Sequence, residues 1–235
     1  MEIKEMCEML LKIYEKQTNE NDRLSAVQIV YKLGFEINRN NFTLEDLNQI
    51  LVVTIQIAKT KKRLQQILEE KLLGLISFLP HKLWMENEEK PRFYRGTKSK
   101  EGEIANSLIS FAEEIYEIRV DRDSFAGKRR GYAIQILESL TNYFEVPEFL
   151  IMCRKSIKSK SKNEFLYTIE SLKNYYLETG QLPEEEIIKE INTRIAKTKS
   201  RSEIVGGLNL QVEAGIIDEL EALSRVDEWK EKYYR

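Results

Sequence analysis

Apolar residues along this chain recur at spacings of three and four. Ile3, Met6, Cys7, Leu10, Leu11 and Tyr14 fall on one stripe of a helix. The polar stretch from Thr18 to Asp22 breaks the pattern, and Leu24, Val27, Ile29, Val30 and Leu33 carry a second helix ending near Gly34. Together these predict a helical hairpin. The next hairpin opens at Thr43, an N-cap residue type, with Glu45 and Asp46 in the first turn where negative charge suits the helix dipole. Its first helix runs to about Thr60. Its second carries Leu64, Ile67, Leu68, Leu72, Leu73, Leu75, Ile76 and Leu79, and is expected to stop at Pro80.

Residues 81–100 break the rhythm with Pro91, Gly96 and many charges, so they read as an insertion. Helices are then expected over roughly 103–118, 129–144, 147–157, 163–177, 183–196 and 202–214, with a last one beginning near Ile217. Pro147 and Pro183 stand where a first helical turn tolerates proline, each followed by acid, about 36 residues apart and so close to one two-helix repeat. Ile57-Ala58-Lys59-Thr60-Lys61 recurs as Ile195-Ala196-Lys197-Thr198-Lys199, and Arg63 aligns with Arg201. On the same register Leu44, Ile50 and Val53 fall on Leu182, Ile188 and Ile191, extending the echo along an apolar stripe.

In this architecture the chain resembles the HEAT and armadillo class of α-solenoids, built from antiparallel helix pairs of about 40 residues. The resemblance implies an all-α fold: a right-handed α-solenoid of about five antiparallel helical hairpins. It would form one domain over residues 1–235, interrupted by the insertion at 81–100. It also implies a curved surface that binds protein or nucleic acid. That class includes DNA glycosylases acting through an acidic residue and tryptophans, but Trp84 and Trp229 sit beside no matching segment.

Composition agrees with a helical globular chain: 235 residues, 42% hydrophobic and 32% charged, with only 10 Gly and 4 Pro. The 37 basic and 39 acidic residues leave a net charge of -2, so any electrostatic specificity is local. Two separated cysteines, Cys7 and Cys153, offer neither a disulfide framework nor a zinc ribbon, which fits a reducing cytoplasm. No signal peptide or membrane-spanning run is evident, so no membrane is expected as a partner.

The basic residues collect near helix junctions. Lys59, Lys61, Lys62 and Arg63 form one cluster and Lys128, Arg129 and Arg130 a second. Arg154, Lys155, Lys158, Lys160 and Lys162 form a third, and Lys197, Lys199 and Arg201 a fourth. Equivalent turns of a solenoid stack along one edge, so these clusters predict a positive ridge able to follow a phosphate backbone. The helix macrodipole offers the competing account, since cations are favoured at any helix C-terminus. Trp84, Arg92, Phe93, Tyr94 and Arg95 around the insertion are of types enriched at protein interfaces.

Catalytic motifs are missing from the sequence. A single histidine, His81, excludes HExxH and multi-histidine metal centres, and there is no phosphate loop, dinucleotide fingerprint or nucleophile elbow. Cys7 and Cys153 lie on apolar stripes where a thiol is inert. Gly206-Gly207 falls inside a helix and predicts close helix packing. Acids such as Glu113, Glu114, Glu117, Asp121 and Asp123 read as solvated faces with Arg119 and Arg122 nearby. The expectation is a non-enzymatic intracellular interaction module, adaptor, regulatory or toxin-neutralising, with a protein partner and without cofactor, metal or small-molecule substrate. A sequence-nonspecific DNA- or RNA-binding protein is the alternative.

Overall fold

The computed structural model describes residues 2–16, 20–37, 42–60, 63–84, 99–119 and 125–234. The described residues form helices and no strand: α1 (Ile3–Glu15), α2 (Glu20–Ile37), α3 (Leu44–Ala58), α4 (Arg63–Trp84), α5 (Lys100–Glu117), α6 (Ala126–Thr141), α7 (Pro147–Ile157), α8 (Lys162–Thr179), α9 (Glu185–Ile195), α10 (Arg201–Glu213) and α11 (Glu219–Tyr234). The all-α expectation is met. The chain forms two compact units, Met1–Glu145 and Val146–Arg235.

In the first unit α1, α3 and α5 pack side by side in one layer and α2, α4 and α6 in the other, with α1 against α2, α3 against α4 and α5 against α6. The second unit repeats the scheme with α7 beside α9 and α8 beside α10. Here α7 packs on α8, α9 on α10, and α11 on α10. Such packed pairs fit a helical-repeat class loosely.

Local chemistry explains where the helices begin and end. The Thr43 hydroxyl accepts from the Asp46 N–H at 3.1 Å while the Asp46 carboxylate accepts from the Thr43 N–H at 3.0 Å, a capping box that starts α3. Pro147 occupies the first turn of α7, where its missing N–H has no intrahelical role. Gly180 closes α8 at φ 66°, a left-handed conformation that other residues resist. Between the layers lie fully buried residues such as Leu10, Leu47, Leu72, Leu108, Ile134 and Leu137, each stabilising the fold by about 1.5–3 kcal/mol on burial.

Several boundaries differ from those expected; α5 and α6, for instance, each begin three residues early. α4 continues through Pro80 to Trp84. Pro80 has no N–H to give the preceding turn, yet the helix persists because it buries Leu79 and Trp84. The Trp84 indole packs edge-on against Phe144 at 4.8 Å and beside Tyr143 at 5.5 Å. Residues 81–84 therefore continue α4, with Trp84 in the first unit's core, and residues 85–98 lie outside the described residues. α2 passes Gly34 and continues to the buried Ile37; a Cβ at Gly34 would meet Leu75 of α4 at 3.4 Å, so the glycine lies within the helix against α4 rather than ending it. α9 starts at Glu185, just after Pro183 instead of on it.

Candidate functional site

The two basic clusters of the first unit are largely neutralised by acids on neighbouring helices. Lys59, at the end of α3, pairs with Glu114 of α5 at 3.0 Å. Lys128 in the first turn of α6 reaches Glu70 of α4 at 3.1 Å. The Arg129 guanidinium is buried and holds the buried Glu69 carboxylate with two N–H groups, one at 3.0 Å. Arg129 is thus a core ion pair and leaves the candidate surface: an arginine at that depth is kept by its carboxylate. Arg130 lies over the Tyr116 ring at 5.8 Å. Lys61 and Lys62 lie outside the described residues, as does the Arg63 side chain.

The second unit treats its cations differently. Arg154 pairs with Glu184 and Lys158 with Glu190 at 2.6 Å, and Lys155 lies in the last turn of α7 where the dipole favours it. Lys160, Lys162, Lys197, Lys199 and Arg201 are exposed and make no ion pair with any described residue. Four of them, Lys160 and Lys162 from the α7–α8 turn with Lys199 and Arg201 from the α9–α10 turn, line one open depression of about 860 Å³. Thr198, Ser200, Ser202, Glu203 and Val205 line it too, the Glu203 carboxylate being held by Thr198 and Arg194, and no aromatic side chain does among the described residues.

The placement of two of these cations runs against helix electrostatics. Lys162 and Arg201 are the first residues of α8 and α10, and Lys160 and Lys199 immediately precede the caps Ser161 and Ser200. The positive ends of α8 and α10 face Lys162 and Arg201, so the macrodipole disfavours those two charges, whereas Lys160 and Lys199 stand between that end and the C-terminus of the preceding helix. The dipole accounts for Arg154 and Lys155 but not for Lys162 and Arg201. Cations and helix N-termini gathered together share one complement, an anion.

Both turns are built on the same seven-residue plan. Lys158-Ser159-Lys160-Ser161-Lys162-Asn163-Glu164 aligns with Lys197-Thr198-Lys199-Ser200-Arg201-Ser202-Glu203, about 39 residues on. In the first turn Ser159 accepts the Ser161 N–H at 3.1 Å and donates its hydroxyl to the buried Glu164 carboxylate at 2.6 Å. In the second, Thr198 accepts the Ser200 N–H at 3.0 Å and donates to the buried Glu203 carboxylate. The hydroxyl and the glutamate therefore latch each loop to the helix that follows it. With the polar backbone satisfied inward, the alternating lysines are left pointing away.

Arg194 of α9 joins the two turns. Its guanidinium donates to the backbone carbonyls of Ile157 at 3.1 Å, Ser159, and Ser161 at 3.1 Å, all in the first turn. The same group donates to Glu203 of the second turn, from Nε at 3.1 Å, and its Cζ lies over the Phe165 ring, 4.1 Å from the ring centre. From the other side α11 grips the second turn: the Trp229 indole N–H donates to the Thr198 carbonyl at 2.9 Å and Lys232 to the Ala196 carbonyl at 3.1 Å. Sequence reasoning missed Arg194. The signal that could have found it was the match between the two turns at this closer spacing, which the more distant echo at Lys59 overshadowed.

Of the interface residues expected around the insertion, Trp84 is core, and Arg92, Phe93, Tyr94 and Arg95 lie outside the described residues. His81 sits on α4 beside Phe78 and Tyr143. Both cysteines are buried, and burial, aided by the Asp46 charge, pushes the Cys7 thiol up to about 11. No group of three or more metal-ligating side chains gathers among the described residues, and none of their helices is long and apolar enough to cross a membrane. No protein-family model matches this chain, and no curated protein or solved structure is significantly similar to it.

Proposed function

We propose that this chain is a non-enzymatic binding protein whose Val146–Arg235 unit holds the phosphate backbone of a nucleic acid without reading its sequence. One observation carries this: four exposed cations that make no ion pair with any described residue meet around a single depression, two of them, Lys162 and Arg201, at helix N-termini where the dipole would not place them. Recurrence of the same turn from one helix pair to the next also supports a helical-repeat architecture of the HEAT and armadillo kind. With no aromatic side chain lining the depression among the described residues, affinity comes from charge, and a duplex competes at least as well as a single strand.

The test is binding of random-sequence DNA and RNA, duplex and single-stranded, across a salt series. Affinity should fall linearly on logarithmic axes with a slope of about 0.9 per duplex phosphate engaged. Replacing Lys160, Lys162, Lys199 and Arg201 together by Glu should weaken binding at least about a hundredfold near 0.1 M salt. An absence of binding by the wild-type chain at low salt refutes the reading.

A protein partner is the second reading, and one feature of α2 favours it. Leu24, Tyr31 and Phe35 share a line on the face opposite its buried residues, at 61%, 65% and 69% exposure. Replacing all three by Ser should abolish association with that partner while leaving nucleic-acid affinity unchanged.

A further inference from the structure

The geometry points to a composite anion site: Arg194 fastens the two basic turns of the second unit together so that a phosphodiester backbone is held by both at once. This rests on the nucleic-acid reading and says how that site is organised. A turn latched only by its own hydroxyl and glutamate would present its lysines independently of its neighbour. Arg194 removes that independence. One planar group spans the carbonyls of Ile157, Ser159 and Ser161 on one turn and the Glu203 carboxylate on the other, and the Phe165 ring beneath it fixes its plane.

The consequence is visible in the lining of the depression, which takes Lys160 and Lys162 from the first turn and Lys199 and Arg201 from the second. A polyanion spanning both turns gains from the second contact as an intramolecular event, at high effective concentration. Arg194 itself is largely shielded, its side chain 13% exposed and already committed to Glu203, so it acts as a positioning residue rather than a contact. Lysine at this position keeps the charge but cannot span four acceptors with one rigid plane.

The test uses the full chain and a short fluorescent random-sequence DNA duplex, with a matching RNA duplex as a second arm. Affinity and salt slope are measured for Lys160→Ala with Lys162→Ala, for Lys199→Ala with Arg201→Ala, and for all four together. Each set is made with and without Arg194→Lys, and thermal melting checks that each variant folds. In the wild-type background each pair should weaken binding about tenfold or more, and all four together only slightly more than either pair, because one turn alone holds the duplex poorly. Arg194→Lys should itself weaken binding about tenfold and flatten the salt slope by about two units, the share of two phosphates. If Arg194→Lys does not fold, Glu203→Gln is read in the same way, since it removes the charge that anchors the guanidinium.

Wild-type affinity and slope in Arg194→Lys, with the alanine pairs still weakening binding additively, would overturn the composite site while leaving nucleic-acid binding intact. Alanine pairs without effect on a duplex that does bind would overturn the site and its location together. No binding by the wild-type chain in either arm would overturn the reading on which the inference rests.

Discussion

The two units contain similar basic runs and leave different shares of them open. In Met1–Glu145 Glu114 takes Lys59, Glu70 takes Lys128 and Glu69 takes Arg129. In Val146–Arg235 Glu184 takes Arg154 and Glu190 takes Lys158, but the acid that follows each basic turn is turned inward, Glu164 to hydroxyls and Glu203 to Thr198 and Arg194, and Lys160, Lys162, Lys199 and Arg201 remain open. The difference lies less in the cations than in where the nearest carboxylates spend their hydrogen-bonding capacity. A basic run becomes an anion site only when its acids are engaged elsewhere.

That contrast can be broken at its strongest point. Arg129→Met leaves the Glu69 carboxylate buried without its cation, and should lower unfolding stability by about 3–5 kcal/mol in denaturant titration. Adding Glu69→Leu should restore most of the loss; a double variant as unstable as the single would show that the pair does more than neutralise itself. On the alkaline side the two units share a vulnerability. Burial raises Cys7 in the first unit and Tyr176 in the second, so the folded state holds each proton while the unfolded chain gives it up. Their contribution is therefore complete below the unfolded values and is lost as pH rises, for Cys7 from about 9.0 to about 11. Stability should fall by about 2–3 kcal/mol through that window on account of Cys7, and in Cys7→Ala this component of the pH dependence should vanish.

A smaller effect belongs to the second unit. A Cβ on Gly207 would lie 2.9 Å from Ile195 and 3.0 Å from Ile191, so Gly207→Ala presses α10 away from α9. Overpacking outweighs the gain in helix propensity, and a net loss of about 1–2 kcal/mol is expected, with nucleic-acid affinity reduced in parallel because Arg194 and Glu203 lie on these two helices. The smallest change sharpens the comparison most. Lys59→Ala and Lys128→Ala remove half-exposed ion pairs, and should each cost under about 1 kcal/mol and leave duplex affinity at the wild-type value.

The helices were legible because their apolar stripes are continuous: Ile3 through Leu10 and Leu47 through Ile57 are buried as the spacing implies. Thr43, Pro147 and Gly206-Gly207 were legible for the same reason, since capping, a first-turn proline and close packing are local or nearly so. The passage of α4 through Pro80 was not, because the burial of Trp84 against Phe144 that sustains it spans a long stretch of sequence. The candidate site was half legible. Lys160, Lys162, Lys199 and Arg201 stood out by composition, whereas the withdrawal of Arg129 into the core depends on Glu69, which no local pattern connects to it. Arg194 escaped notice because it sits within a helix and acts on a turn from the preceding pair.

The hydroxyl that bridges a cap N–H and a buried glutamate makes each basic turn a short, repeated cassette. Its latch is local, lysine alternating with hydroxyl residues and closing on glutamate, so the turn can be copied onto another helix pair once an arginine placed like Arg194 ties it to its neighbour. A protein made of such pairs can lengthen its charged track by duplication, and an engineer can do the same by grafting.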